Sequence, residues 1–152
     1  MSGNEIAVKC SGITKTFGGV VANDDINLEV KYGEILALLG ENGSGKTTLM
    51  NMLSGIYHPD KGTIAISGKT VAINSPKDSI ALGIGMIHQH FKLVEVFTAA
   101  DNIVAGTKGS LKGKGAVRDE INKISEQLGL EVDPDKKVYN MSVSEKQTVE
   151  IL

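Results

Sequence analysis

Residues 35–48 decide how this chain is read. They run Ile35-Leu36-Ala37-Leu38-Leu39, then Gly40-Glu41-Asn42-Gly43-Ser44-Gly45-Lys46-Thr47-Thr48. Five apolar residues without alternation predict a strand buried on both faces, as in a parallel α/β sheet. Gly40 stops that run. From Lys46 onward, Leu49, Met52, Leu53 and Ile56 fall at helical spacing, and Gly55 predicts the C-terminal cap. Between strand and helix, Gly40 to Thr47 satisfies G-x-x-x-x-G-K-[ST]. About one chain in two hundred of this length would match that pattern by chance. The glycines let the backbone curl so that successive N–H groups point into one hollow. The helix that follows adds its positive N-terminal end to the same place. Lys46 can reach terminal phosphates, and the Thr47 hydroxyl can bind Mg²⁺. The stretch therefore predicts a nucleoside triphosphate site lined by Gly40, Glu41, Asn42, Gly43, Ser44, Gly45, Lys46, Thr47 and Thr48.

Around that motif lie 152 residues with 16 Lys+Arg against 18 Asp+Glu, a formal charge of −2. Such a balance argues against nucleic acid as a partner, which requires a strongly cationic surface. Apolar residues make up 41%, as in a globular domain. The single cysteine, Cys10, excludes an internal disulfide and a zinc ribbon, and fits a reducing compartment. It reads as a small buried apolar residue. No run approaches the ~18 apolar residues needed to cross a bilayer, and the first ten residues mix charge and apolarity unlike a signal peptide.

Elsewhere the patterning predicts a strand over Ile6-Ala7-Val8-Lys9-Cys10 and a turn at Phe17-Gly18-Gly19. An alternating strand follows over Ile26-Asn27-Leu28-Glu29-Val30. His58-Pro59-Asp60 breaks the chain. Thr63 to Ile66 and Thr70 to Ile73 read as a hairpin turned by Ser67-Gly68-Lys69. Ile84-Gly85-Met86-Ile87 predicts a second short buried strand. Helical character then takes over. Thr98 with Asp101 forms a variant capping box. Val117, Ile121, Ile124 and Leu128 step along one helical face that ends at Gly129. The stretch Gly106 to Gly115 holds four Gly and three Lys (Lys108, Lys112, Lys114), with Arg118 beyond it, and predicts a solvated loop.

Two further stretches set the class. Gly85-Met86-Ile87-His88-Gln89 ends an apolar run with an amide, and Asn140-Met141-Ser142-Val143-Ser144-Glu145 opens a new helix. With the P-loop, in this order, they resemble the nucleotide-binding subunit of an ABC transporter. The resemblance covers nearly the whole chain. It implies a P-loop NTPase core with an antiparallel β subdomain and a helical insertion: an α/β core over about 1–91, a helical subdomain over about 92–143, and the signature helix beginning at 144–152. It places Gln89 at the family's Q-loop, where an amide can coordinate Mg²⁺ or orient water. Lys46 and Gln89 are then the catalytic candidates, and Thr47 and Gln89 the Mg²⁺ ligands. Phe17 falls where the family sets an aromatic ring against adenine, a stack worth roughly 1–3 kcal/mol; as a residue it could equally be hairpin core. Ser142, Val143, Ser144 and Glu145 fall at the signature, usually L-S-G-G-Q, which in the family faces the ATP of a second subunit. Here Val143-Ser144 replaces Gly-Gly and Glu145 replaces Gln, which adds side chains and a negative charge beside phosphate. Thr148 stands where related sequences often have Arg.

The wording from Gly85 to Val94 looks like the simple-sugar and nucleoside importers. That implies ATP and Mg²⁺ as cofactors, permease subunits and a second nucleotide-binding domain as partners, an extracellular substrate-binding protein acting indirectly, and a peripheral place on the cytoplasmic side of the membrane. The alternative reading is a degenerate, non-hydrolysing ATP-binding half that regulates. His88 and His90 read as ordinary polar residues. No later apolar run ends in Asp-Glu, and no His follows the signature, so the family's Walker B acids and switch His do not stand in this sequence. The chain reads as the truncated first part of one such domain, expected by itself to hydrolyse little or no ATP.

Overall fold

The computed structural model describes residues 5–89, 91–105 and 114–152. Two compact units divide it, Met1–Met86 and Ile87–Leu152.

In the first unit, β1 (Ile6–Phe17) and β2 (Val20–Lys31) form a long antiparallel hairpin, turned at Gly18-Gly19. Two further strands, β3 (Lys61–Ile66) and β4 (Lys69–Val71), complete an antiparallel sheet of order β2-β1-β3-β4. Ser67 and Gly68 both take positive φ, 50° and 77°, which gives the β3–β4 turn the twist that suits a two-residue hairpin loop. The strand predicted to end near Cys10 continues to Phe17, because Gly12 is absorbed as an irregularity of the β1–β2 ladder.

One face of this sheet packs on α1 (Lys46–Leu53). Cys10, Ile13 and Ile64 from the strands meet Leu49 and Met52 from the helix, with Ile73 behind them. Leu49 and Met52 sit three apart on the helix, so both face the sheet. Burial pushes the Cys10 thiol above its ordinary pKa, as suits a small core residue. Gly55 ends α1 as the pattern predicts: its N–H donates to Met52 O at 3.2 Å and Ile56 N–H reaches Asn51 O at 2.9 Å. A short helix, α2 (Pro76–Ala81), is capped by Ser75.

Two expected strands do not form. Residues 35–39 and 84–87 have no regular structure, and Ile35 and Leu39 are 99% and 89% exposed. Apolar runs want burial, but only a neighbouring ladder holds a strand in place. Among the described residues no strand pairs with either run.

The second unit is helical: α3 (Ala99–Val104), α4 (Lys114–Leu128), a 3₁₀ turn (Val138–Asn140) and α5 (Val143–Ile151). Its core is Ala99, Val138, Met141 and Val149. Thr98 and Asp101 make both bonds of the capping box read from the sequence. Ile121 is buried on α4, while Leu128 at its end is exposed. Residues 106–113 of the expected Gly-Lys loop, with Lys108 and Lys112, lie outside the described residues; Arg118 pairs with Asp135.

Candidate functional site

The loop before α1 closes on itself around one cation. Ser44 N–H donates to Glu41 O at 3.2 Å, forming a tight turn. The Lys46 ammonium then folds back across that turn. It donates to Gly40 O at 2.8 Å, Glu41 O at 2.7 Å and the Ser44 hydroxyl at 3.1 Å. All three ammonium protons are thus used by the loop itself. A Cβ on Gly40 would crowd Ser44 Oγ at 2.8 Å and come into ordinary contact with Lys46 Nζ at 3.7 Å.

Gly45 is the N-cap of α1, with φ 84°, and no side chain caps this helix. Its first turn carries no acidic residue. The first-turn amides, at residues 46–48, are those a helix leaves without an intrahelical acceptor. Uncapped amides, a lysine head and a first turn without a carboxylate make a donor set that suits a phosphate chain. Among the described residues no cluster of three His, Cys, Asp or Glu could hold a metal by itself. A divalent cation here would rest on the Thr47 hydroxyl and on the phosphate oxygens themselves.

Phe17 ends β1 beside this unit's α1–β3 connection. Its ring meets Tyr57 edge-on, with centroids 5.1 Å apart and planes at 68°. Lys15 Nζ lies 5.4 Å from its centroid. The ring is 42% exposed, which is surface placement rather than hairpin core. Below it Asp60 ties the α1–β3 connection to β1. Its carboxylate accepts from Lys15 at 2.8 Å, and from Thr16 N–H and Thr16 Oγ1–H at 2.7 Å each. These donors hold the Asp60 carboxyl well below the usual carboxylate range, with the Lys15 bond first among the causes.

Gln89 and the 142–145 stretch belong to the second unit. Gln89 is exposed and lines a cavity of about 260 Å³ with Phe91, Leu93, Glu95, Val138 and Lys146. His88 is half-buried, and His90 lies outside the described residues. Ser142 is the N-cap of α5 and makes a full capping box. Its Oγ accepts from Glu145 N–H at 3.3 Å, and Glu145 Oε2 accepts from Ser142 N–H at 2.8 Å. The other carboxylate oxygen of Glu145 pairs with Lys136 Nζ at 2.6 Å. Lys136 first, then the Ser142 backbone and hydroxyl, lower the Glu145 carboxyl to about 2. Val143 stands 72% exposed at the helix start. Thr148 is buried, and its hydroxyl is spent on Ser144 O at 3.2 Å.

Sequence reading passed over Asn23, Tyr57, Asp60 and Lys136. For Lys136 a signal existed: Ser142-x-x-Glu145 has capping-box spacing, which turns the carboxylate back to its own helix and frees its second oxygen for a neighbouring cation.

Comparison with known proteins places this geometry. A family model described as ABC transporter matches residues 23–152. The chain is 49% identical over 152 residues to the nucleoside import ATP-binding protein NupA of Lactococcus lactis, covering 98% of this chain and 30% of that protein. It is also 49% identical over 152 residues to the guanosine import ATP-binding protein NupO of Bacillus subtilis, covering 97% of this chain and 30% of the relative. The chain thus spans about a third of the length of these curated relatives. Among solved structures, cbiO1 of Clostridium perfringens, part of the ABC transporter complex cbiONQ, superposes with a TM-score of 0.78 at 26% identity, over 97% of this chain and 60% of that one. A lysine held in an uncapped glycine loop, an antiparallel sheet beside it and a helical second unit therefore go together with a family match over most of the sequence: the chain belongs to the ABC transporter family.

Proposed function

We propose that this chain binds Mg-ATP as part of the energy-coupling subunit of an importer for a nucleoside or simple sugar. The observation that carries the reading is the 40–48 loop, where a lysine head sits among acceptors that a phosphate chain would replace. On arrival of a triphosphate, Lys46 exchanges two carbonyls and a hydroxyl for anionic oxygens, a stronger class of hydrogen bond. The Thr47 hydroxyl would hold Mg²⁺, which would supply charge neutralisation to the phosphate chain. Phe17, steadied by Tyr57 and Lys15, offers its remaining exposed surface to adenine. The nucleoside preference is suggested by the names of the two relatives at 49% identity.

In this reading ATP hydrolysis drives transport, with permease subunits and a second nucleotide-binding domain as partners at the cytoplasmic membrane face. An extracellular substrate-binding protein delivers the solute. Ser142, Val143, Ser144 and Glu145 would face ATP held by the second domain. The second reading, a non-hydrolysing regulatory half, draws on Val143-Ser144-Glu145 at the signature. The Lys136 pair offsets the Glu145 charge at that helix start, which favours the first.

Isothermal titration with Mg-ATP against Lys46→Ala tests the core of this. Affinity is expected to fall on the order of 100-fold, the loss of a charge-assisted contact to phosphate. Equal affinity in the two proteins would overturn it. Replacing Val143-Ser144-Glu145 by Gly-Gly-Gln in the assembled transporter separates the two readings, since a large rise in ATPase favours the regulatory one.

A further inference from the structure

Outside the motif, one buried polar side chain lies against the P-loop. Asn23 on β2 is 5% exposed. Its Nδ2 donates to Gly45 O at 3.3 Å, and its Oδ1 is buried with no hydrogen-bond partner. Because Gly45 O can only accept, the end of the amide that faces it must be the NH₂.

The sheet goes out of its way to bring this residue inward. Along β2, Ile26, Leu28 and Val30 alternate onto the core side. Strict alternation would bring Asp24 onto that side and leave Asn23 facing out. Instead the ladder steps from Ile13↔Ile26 to Lys15↔Asn23, two residues on β1 against three on β2. The extra residue is a bulge, with Asp25 at φ 48°. It is pinned by Asp25 N–H to Thr14 Oγ1 at 3.2 Å and by Asn27 Nδ2 to Asp25 O at 2.9 Å. The bulge reverses the parity, and Asn23 turns in toward Gly45.

The contact is also close. A Cβ on Gly45 would run into the Ala22 carbonyl oxygen and approach Asn23 Nδ2 at 2.8 Å. Gly45 O already accepts the first helical bond, from Leu49 N–H at 2.9 Å. Asn23 therefore adds a second donor to the N-cap carbonyl. The Gly45–Lys46 peptide is planar and trans, so fixing its C=O fixes where the Lys46 N–H points. That amide is the first of the phosphate-facing turn. A leucine, with the same branched four-atom side chain, would occupy this place without burying an unpaired carbonyl, so packing alone does not account for an asparagine here.

We propose that Asn23 is a positioning residue for the P-loop, one that orients the Lys46 amide toward phosphate through the Gly45 carbonyl. This rests on reading residues 40–48 as the phosphate cradle.

The test uses Asn23→Leu, which keeps the branched side-chain skeleton and removes the donor, with Asn23→Ala scored in the same way should the leucine protein fail to fold. Two quantities are read on folded protein: Mg-ATP affinity by titration calorimetry, and the Lys46 amide resonance by ¹⁵N NMR. A lost neutral hydrogen bond predicts about 3- to 10-fold weaker binding. The Lys46 amide should shift in the free protein and respond less to Mg-ATP, while melting is unchanged or raised. Unchanged affinity with an unmoved Lys46 resonance overturns the proposal. So does weaker binding that only tracks a lowered melting temperature. Lys46→Ala, run in parallel, keeps the two ideas apart. If it abolishes binding while Asn23→Leu has no effect, the cradle reading stands and this proposal alone falls. If the unmodified chain binds no Mg-ATP, both fall.

Discussion

The starts of α1 and α5 make an instructive pair, since the proposed function offers both to phosphate. At α1 the N-cap is Gly45, no side chain caps the helix and no acid stands in the first turn. At α5 the N-cap is Ser142, with a reciprocal capping box and Glu145 in the first turn. A helix start has a fixed number of amides without intrahelical partners. They can be satisfied by the protein, which stabilises the helix, or left for a ligand. The first start has no side-chain cap and holds a cation in its loop; the second satisfies two of its amides, those of Ser142 and Glu145, internally and balances the resulting carboxylate with Lys136. In the proposed function, capping chemistry thus separates a helix start open to an anion from one stable without it. An anion arriving at α5 would compete with a carboxylate already in place.

The sharpest way to break this contrast is to close the first site. Gly45→Ala introduces a side chain at φ 84° and drives its Cβ into the Ala22 carbonyl oxygen. Left-handed backbone at a non-glycine residue costs about 1–3 kcal/mol before the clash is counted. The expected result is a melting temperature lower by about 10 °C, together with weakened Mg-ATP binding. Differential scanning calorimetry and titration on the same sample measure both. A protein that melts as before would mean that β2 and the loop are not in contact.

Much of that first site could be read from the chain because its causes are local. Glycine spacing, a lysine and a following apolar helical pattern all lie within about twenty residues, and the helix forms where Leu49 and Met52 predicted it. The hairpin turn at Ser67-Gly68 and the capping box at Thr98 were legible for the same reason. The 35–39 and 84–87 runs have strand patterning but form no strand among the described residues, because apolarity reports a wish for burial and says nothing of which partner meets it. Asn23 was invisible for a different reason. Its inward orientation depends on a bulge, and a single inserted residue reverses every face assignment upstream of it. Lys136 is legible only through the Ser142-x-x-Glu145 spacing, which turns the carboxylate back to its own helix and leaves its second oxygen for a cation.

At the second helix start a smaller effect is expected. Ser142→Ala removes the acceptor for Glu145 N–H. Losing such a cap costs about 1 kcal/mol, which lowers melting by roughly 2–4 °C in a chain of this size. Ser142→Gly should cost only a few tenths of that energy. If alanine and glycine behaved alike, the hydroxyl would not be acting as a cap.

The smallest effect is the most specific. In the folded chain the Glu145 carboxyl titrates at about 2, against an ordinary value of 4.5. The folded state therefore binds this proton less readily than the unfolded state. Its stabilising contribution is complete above about pH 4.5 and is lost as the pH falls toward 2. Asp60 is depressed as well and contributes in the acid range, so a melting curve against pH would mix the two. The carboxyl carbon of Glu145, followed by NMR, resolves them. Lys136→Met removes the leading cause of the shift and should move the Glu145 midpoint up toward the ordinary carboxylate range. The Ser142 bonds remain and keep it somewhat below that range. A midpoint already ordinary in the unmodified chain would show that the Lys136 pair is not formed in solution, and the α5 start would then carry an uncompensated carboxylate. The two helix starts would differ in charge as well as in capping, which is the condition under which the regulatory reading of 142–145 gains ground.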